Sequence, residues 1–210
     1  MIFDFYVSLG DNCEGAFQIR RVLGRDDSSF FSWNITTAKS FIDLMDNDFS
    51  GIMQPENLRP HVADLVIDGK YEYMFHSQFP HRPDVVFTDY PEIAQTHQEK
   101  AQYLIDKLKK NAVSDQTTAY FFKAAEEDAK PKAEEMLKRL ETLHGGRDNF
   151  RFVLLQEASR HEDDWGYDRL KNRYLKRLAP MDDAHDGHVY SWDKVFQEFP
   201  HKDPMRLAGY

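Results

Sequence analysis

The chain has a single cysteine, Cys13, among its 210 residues, so no intrachain disulfide can form. Its first ten residues lack the basic region and the long apolar stretch of a secretion signal. No run of apolar residues approaches the length of about 18 that crosses a bilayer. These absences predict a soluble protein of a reducing, cytoplasmic compartment, with no membrane as its partner.

Positive charge is also in deficit, with 27 Lys and Arg against 36 Asp and Glu and a formal net charge of −9. An acidic surface repels phosphodiester backbones, so we expect no nucleic-acid partner. The sequence has no P-loop, no Rossmann glycine fingerprint and no H-E-x-x-H helix. The acid and imidazole groups at 182–188 have no second cluster to complete a metal site, so neither a metal nor a cofactor is expected.

What the chain does contain is apolar and aromatic: 41% hydrophobic residues, with 16 Phe and 10 Tyr, enough for a buried core. Its length fits one domain over residues 1–210. Apolar runs at 3–9, 118–123 and 150–156 predict buried strands, and amphipathic stretches between them predict helices. This alternation is typical of an α/β fold with a mostly parallel sheet and helices on both faces.

An inserted β-hairpin is predicted around 62–76, because Asp68-Gly69 between two apolar runs suits a type I′ turn. Residues 29–35 fit either a short strand or an ordered loop, and 174–178 either a strand or a helix end. Helix starts are expected at Asp11, with Glu14 completing a capping box, at Thr36 or Thr37, at Pro91, at Pro131 and at Ser191.

Parallel sheets bind ligands at the carboxyl ends of their strands, and the first strand ends in Gly10, Asp11, Asn12 and Cys13. A cysteine in the first turn of a helix is favoured as a thiolate by the helix dipole, and the same amides with the Asn12 side chain could hold an oxyanion. Asp11 and Glu14 act in the opposite direction by raising the thiol pKa. Cys13 is therefore either a nucleophile or a small packing residue.

A cysteine nucleophile needs a base, and two regions offer an imidazole. His76 follows an apolar strand where the chain enters a loop. The segment from Asp182 to His188 contains His185 and His188 and follows the last predicted strand, which would place it on the same rim as Cys13. His97 lies on an apolar helix stripe and is expected in or beside the core.

Several blocks resemble a bacterial family called putative papain-like cysteine peptidases. They are Ser8 to Glu14 followed by Phe17 to Arg21, Ser29 to Trp33, Tyr71 to His76, Tyr120 to Lys123, and a late tryptophan, Trp192. Phe30 stands where the family usually has a proline. The resemblance implies that Cys13 is the nucleophile and His76 its base, and it leaves the third member of a triad unidentified.

Three functions remain open from the sequence. The first is a cysteine-dependent hydrolase or acyl transferase with Cys13 as nucleophile, His76 or His188 as base, and Gly10, Asp11, Asn12 and Trp33 binding substrate. The second is a glycan-biosynthesis protein, glycosyltransferase-like or sugar-binding, in which Cys13 is structural; similar segments occur in proteins associated with surface polysaccharides. The third is an interaction module without catalysis. A small molecule, a peptide or a glycan is the expected partner, and the oligomeric state is not predicted.

Overall fold

The computed structural model describes residues 1–125 and 128–203. Five α-helices in this part of the chain are α1 (Glu14–Leu23), α2 (Ala38–Asp46), α3 (Pro91–Ala112), α4 (Ala129–Leu143) and α5 (Val189–Glu198). The strands are β1 (Phe5–Ser8), β2 (Asn34–Ile35), β3 (Leu58–Pro60), β4 (Leu65–Asp68), β5 (Tyr73–His76), β6 (Thr118–Lys123), β7 (Phe150–Glu157) and β8 (Leu170–Leu175). No helix among these residues is long and apolar enough to traverse a membrane.

The main sheet is parallel, with the strand order β1-β6-β7-β8. Val7 lies opposite Tyr120, and Tyr120 lies opposite Phe152. Because the strands are parallel, their carboxyl ends meet at one edge. The predicted α/β class with a largely parallel sheet is confirmed.

Both faces of this sheet are buried, because successive side chains of each strand point to opposite sides. Ala119 and Phe121 of β6 face a cluster that includes α1 and α5. Tyr120 and Phe122, one residue on, face the larger cluster formed with α2, α3 and α4. Continuous apolar runs such as 118–123 are typical of strands covered in this way.

The predicted hairpin is the central pair of a second, antiparallel sheet with the order β2-β5-β4-β3. The type I′ turn at Asp68-Gly69 is wrong, because Asp68 pairs with Tyr73 across a four-residue loop. Asp68 is fully buried, and its carboxylate accepts hydrogen bonds from the amides of Met53 and Lys70. The buried Asp68 carboxylate thus stabilises the loops at Met53 and Lys70. A four-residue loop takes the place of the predicted two-residue turn.

Three of the predicted helix starts, those of α1, α4 and α5, are corrected. Asp11 is not the N-cap of α1: it adopts a left-handed φ of 70°, and Cys13 is the capping position. His188, not Ser191, caps α5, and its ring accepts the Ser191 amide. Thr37 caps α2 and Pro91 opens α3, as predicted, whereas α4 begins at Ala129.

Candidate functional site

Cys13 lies at the carboxyl edge of the parallel sheet, between the end of β1 and the start of α1. The chain leaves β1 through Gly10, which has a φ of 109° that side chains rarely adopt. A Cβ at Gly10 would approach the Thr36 Cβ to 2.8 Å, and the Asp11 amide donates to the Thr36 carbonyl oxygen at 2.9 Å. The tight turn therefore depends on glycine and sets where Cys13 stands.

Asn12 is buried, and both ends of its side-chain amide are bound. The Oδ1 atom accepts the Glu14 amide at 3.0 Å, and Nδ2 donates to the Pro180 carbonyl oxygen at 3.2 Å. The amide thus stabilises the start of α1. Nδ2 carries a second N–H, which could serve an oxyanion, the role predicted for it, while the first remains bound to Pro180.

Three charged side chains surround this turn at low exposure. The Lys123 ammonium, at the carboxyl end of β6, lies 3.5 Å from a carboxylate oxygen of Asp11 and 3.5 Å from one of Glu14. It also donates to the Ala179 carbonyl oxygen at 3.0 Å. Lys123 is 4% exposed and Glu14 is fully buried, so one ammonium compensates part of the charge of two carboxylates away from water.

The Cys13 side chain stands among these charges and is only 7% exposed. Burial raises the pKa of its thiol, and the positive charge of Lys123 partly opposes that rise. No hydrogen bond joins the thiol to an imidazole in the described parts of the chain. In this state the sulfur is a neutral thiol beside a buried ammonium.

The segment 179–188, which connects β8 to α5, packs over the start of α1. The Ala179 amide donates to Glu14 at 2.8 Å, and the His185 ring lies 3.5 Å, centroid to centroid, from the ring of Phe17. A Cβ at Gly187 would overlap the Glu14 carboxylate. Asn12 also binds Pro180, so the segment contacts the residues immediately before and after Cys13. These contacts explain the low exposure of Cys13.

His188 belongs to this segment, and its ring is engaged in capping α5. Its Nδ1 atom lies 2.7 Å from the Ser191 hydroxyl oxygen and 3.2 Å from the Ser191 amide nitrogen. Because the amide must donate, Nδ1 is the unprotonated nitrogen of the neutral ring. A base role for His188 would cost the helix its cap.

His76 stands at the end of β5, half exposed, with its Nδ1 atom 2.8 Å from a carboxylate oxygen of Asp64. A carboxylate can only accept, so Nδ1 carries a proton and Nε2 is left as the basic nitrogen of the neutral ring. Burial tends to raise the pKa of Asp64, but the hydrogen bond and charge of His76 outweigh it and lower that pKa. Asp64 orients His76 as a carboxylate orients the histidine of a hydrolase triad.

The Trp33 and His76 side chains line one cavity between the second sheet and α3. Trp33 also contacts Phe17 edge-on, with ring centroids 5.1 Å apart, and Phe17 follows Cys13 by one helical turn. The rings of Phe17 and Trp33 therefore connect the Cys13 turn to the cavity that contains His76.

Sequence reasoning missed Asp64 and the structural role of Glu14. Leu65 pairs with His76 in the hairpin register, so the preceding residue, Asp64, lies directly before β4 and near the end of β5, where its side chain reaches the imidazole. That register could have been found once the hairpin was placed. The Glu14 carboxylate accepts hydrogen bonds from Ala179 and Trp192, which lie far along the chain. No local sequence pattern predicts these contacts.

No group of three or more His, Cys, Asp or Glu side chains in residues 1–125 and 128–203 is arranged to hold a metal ion. His97, expected in or beside the core, is half buried against Phe75 and Phe79.

Comparison with known families gives one match. The model of a family described as "putative papain-like cysteine peptidase", a domain of unknown function, matches residues 4–180. The match covers most of the chain, and the chain belongs to this family. Cys13, Trp33 and His76 lie inside the matched region, whereas His188 and Trp192 lie beyond it. Neither the curated proteins nor the solved structures contain a match to the chain.

Proposed function

We propose that this member of the papain-like cysteine peptidase family is a cysteine-dependent hydrolase or acyl transferase, with Cys13 as its nucleophile. The observation that carries the proposal is the placement of the only thiol at the carboxyl edge of a parallel sheet, at the first turn of a helix and beside a buried ammonium. Parallel sheets bind ligands at this edge. The first amides of a helix lack intrahelical partners and can stabilise an oxyanion.

His76 is the proposed base, with Asp64 as the residue that orients it. Asp64 supplies the third member that the sequence left unidentified, and it fixes the tautomer with a basic Nε2. The position of His76 within the family match, and that of His188 outside it, also favours His76. The path to Cys13 runs along Phe17 and Trp33, so we expect these rings to contact the substrate.

The reaction follows the usual balance of covalent acyl transfer. The Cys13 sulfur forms a bond to the substrate carbonyl carbon, and its proton passes to His76 Nε2 in a substrate complex that brings the sulfur and the imidazole within reach of a hydrogen bond or one bridging water. That proton then moves to the leaving amine or hydroxyl group as its bond to the carbonyl carbon breaks. Water, or an acceptor amine or hydroxyl in a transferase, attacks the thioester and returns the thiol.

Because the resting thiol of Cys13 is neutral, its proton is removed during the attack on the substrate. A permanent ion pair of thiolate and imidazolium is less favoured. Burial raises the thiol pKa, and Lys123 is the cation that acts against this rise. Substrate binding must also displace part of segment 179–188, since that segment packs around the turn that holds Cys13. Reaction at Cys13 therefore requires movement of segment 179–188.

A second candidate is the glycan-pathway protein in which Cys13 is structural. The low exposure of Cys13 is the observation in its favour, together with the partly exposed rings of Phe17 and Trp33, which could stack on a sugar. In that case the thiol is dispensable, and its loss would leave ligand binding unchanged.

The decisive experiment uses p-nitrophenyl acetate as an acyl donor and mass spectrometry of the protein. We expect a burst of p-nitrophenolate and one acetyl group on the peptide that contains Cys13. Cys13→Ala should abolish both, and His76→Ala should slow acetylation by about 10²-fold or more, the typical contribution of a general base. Asp64→Asn should slow it as well, because the ring loses its orienting partner.

His61→Ala is the matched control, since His61 is an exposed histidine directly after β3 of the same antiparallel sheet. Its acetylation rate should equal that of the unchanged protein. Acetylation that persists in Cys13→Ala, or a His76→Ala variant as fast as His61→Ala, would refute the proposed roles. Unchanged binding of a glycan by Cys13→Ala would instead favour the second candidate.

A further inference from the structure

A cavity of about 100 Å³ lies between the second sheet and α3. Its apolar walls are Phe30, Trp33, Met53, Phe75, Ala101 and Leu104. Ligand sites in proteins are typically concave and mostly apolar, with a few polar groups that fix orientation. A volume of about 15 Å³ by such a measure holds one water molecule, so this cavity has room for a ligand of several non-hydrogen atoms.

The polar residues that line the cavity are Ser29, Asn34, His76, His97 and Lys100. No aspartate or glutamate of residues 1–125 and 128–203 lines it, although the chain has 36 acidic residues and a net charge of −9. The Asp64 carboxylate binds the His76 ring from outside this lining, and Lys100 is the one lysine or arginine of the described residues within it. Charge complementarity favours an anionic ligand there.

Lys100 is the residue that gives this cavity its fixed positive charge. The His97 ring stacks on Phe79 at 5.8 Å, and its Nε2 accepts the Gln78 amide at 3.4 Å. Burial, and then the charge of Lys100, lowers the pKa of His97, which keeps its ring neutral at pH 7. Lys100 itself is exposed on α3 and free to turn towards a bound anion.

We propose that this cavity binds a small molecule with an apolar body and a single carboxylate. The apolar body lies against Trp33 and Leu104, and the carboxylate pairs with the Lys100 ammonium. The cavity shares Trp33 and His76 with the site proposed around Cys13, but the binding of a carboxylate there does not depend on reaction at the thiol. Because the test measures binding and no turnover, it gives an answer whether or not Cys13 is a nucleophile.

The probe is benzoate, and benzamide is its neutral analogue of the same shape. Binding is followed by the indole N–H signals of the protein in two-dimensional NMR. Of the three tryptophans, only Trp33 lines the cavity, so only its signal should move. Trp192 is fully buried on the other face of the parallel sheet, and the Lys130 ammonium lies over the ring of Trp165. We expect saturation at low-millimolar benzoate, as for a small fragment, and weaker binding of benzamide.

Lys100→Gln should weaken benzoate binding about three- to five-fold, the range of an exposed ion pair, and leave benzamide binding unchanged. Lys110→Gln is the matched control, because it removes an exposed lysine of the same helix away from the cavity. Thermal melting checks that both variants are folded. Failure of benzoate to move the Trp33 signal, equal binding of benzamide, or equal effects of the two substitutions would each overturn the proposal.

Discussion

The Glu14 carboxylate accepts a hydrogen bond from the Ala179 amide at 2.8 Å, although 165 residues separate the two along the chain. The other carboxylate oxygen accepts the indole N–H of Trp192 at 2.9 Å. One buried side chain therefore joins the start of α1 to the segment after β8 and to α5. Cys13, the residue before Glu14, takes its surroundings from these contacts.

Replacement of Glu14 by Gln should destabilise the fold by about 3 kcal/mol, because it leaves the buried Lys123 ammonium with less compensating charge. The amide also presents a donor where two donors already point. Urea unfolding measures the change in the free energy of unfolding. The double variant Glu14→Gln with Lys123→Met should recover part of the loss, and strict additivity of the two changes would show that the charges do not interact.

Gly187→Ala should destabilise the protein by about 1–3 kcal/mol, since the added methyl group overlaps the Glu14 carboxylate. The neighbouring segment should loosen with it and expose Cys13 to alkylation. Thermal unfolding and the rate of thiol labelling measure the two effects. Asp182→Ala, an exposed change in the same segment, is the control and should alter neither quantity.

Stability should fall in mild acid because of His144. Burial lowers its pKa to about 4, and the ring is held between the Tyr120 hydroxyl and Asn149 at 2.9 Å each. The unfolded chain binds a proton near pH 6.5 and the folded one does not, so stability is complete above pH 6.5 and declines towards pH 4. The loss amounts to about 3 kcal/mol.

Urea unfolding at pH 7 and pH 4.5 tests this dependence. His144→Gln removes the titrating group and should flatten the difference between the two pH values. His81→Gln removes an exposed imidazole and should retain it. A His144→Gln variant with the full acid sensitivity of the unchanged protein would assign the effect to other groups.

Alkylation of Cys13 by iodoacetamide should be slower at pH 7 than that of a free thiol and should rise with pH, because burial raises the thiol pKa. With one cysteine in the chain, every alkylated thiol is Cys13. Lys123→Met should shift the pH–rate profile to higher pH, and Lys123→Arg should hold it near its original place. Lys176→Met, at an exposed lysine, should leave the profile where it is, and an identical profile in Lys123→Met would contradict the influence of Lys123.

Local patterns were sufficient for β1, β6 and β7 of the main sheet and for the presence of most helices. The fourth strand, β8 at Leu170–Leu175, was not predicted, because only 174–178 was considered there, as a strand or a helix end. The runs at 118–123 and 150–156 are apolar at every face of the strand, and only a doubly covered sheet buries such runs. Pro91 and the glycines at 145–146 mark helix ends by backbone constraints that act within a few residues. The four-stranded extent of the second sheet was not predicted, because β2 and β3 have two and three residues and pair only through contacts with the hairpin.

The features of the candidate site also divide into those that local sequence sets and those that tertiary contacts set. The turn from Gly10 to Cys13 and the strand that ends at His76 are local, and the sequence placed both. The pairing of His76 with Asp64 needs the hairpin register, and the exposure of Cys13 depends on segment 179–188. An apolar run acts through neighbours in the chain, so the sequence by itself determined the three apolar strands of the main sheet, the hairpin, the presence of the helices and the position of the thiol. A buried charge or a covering segment acts through residues more than a hundred positions away, so only the tertiary structure decided how that thiol is surrounded.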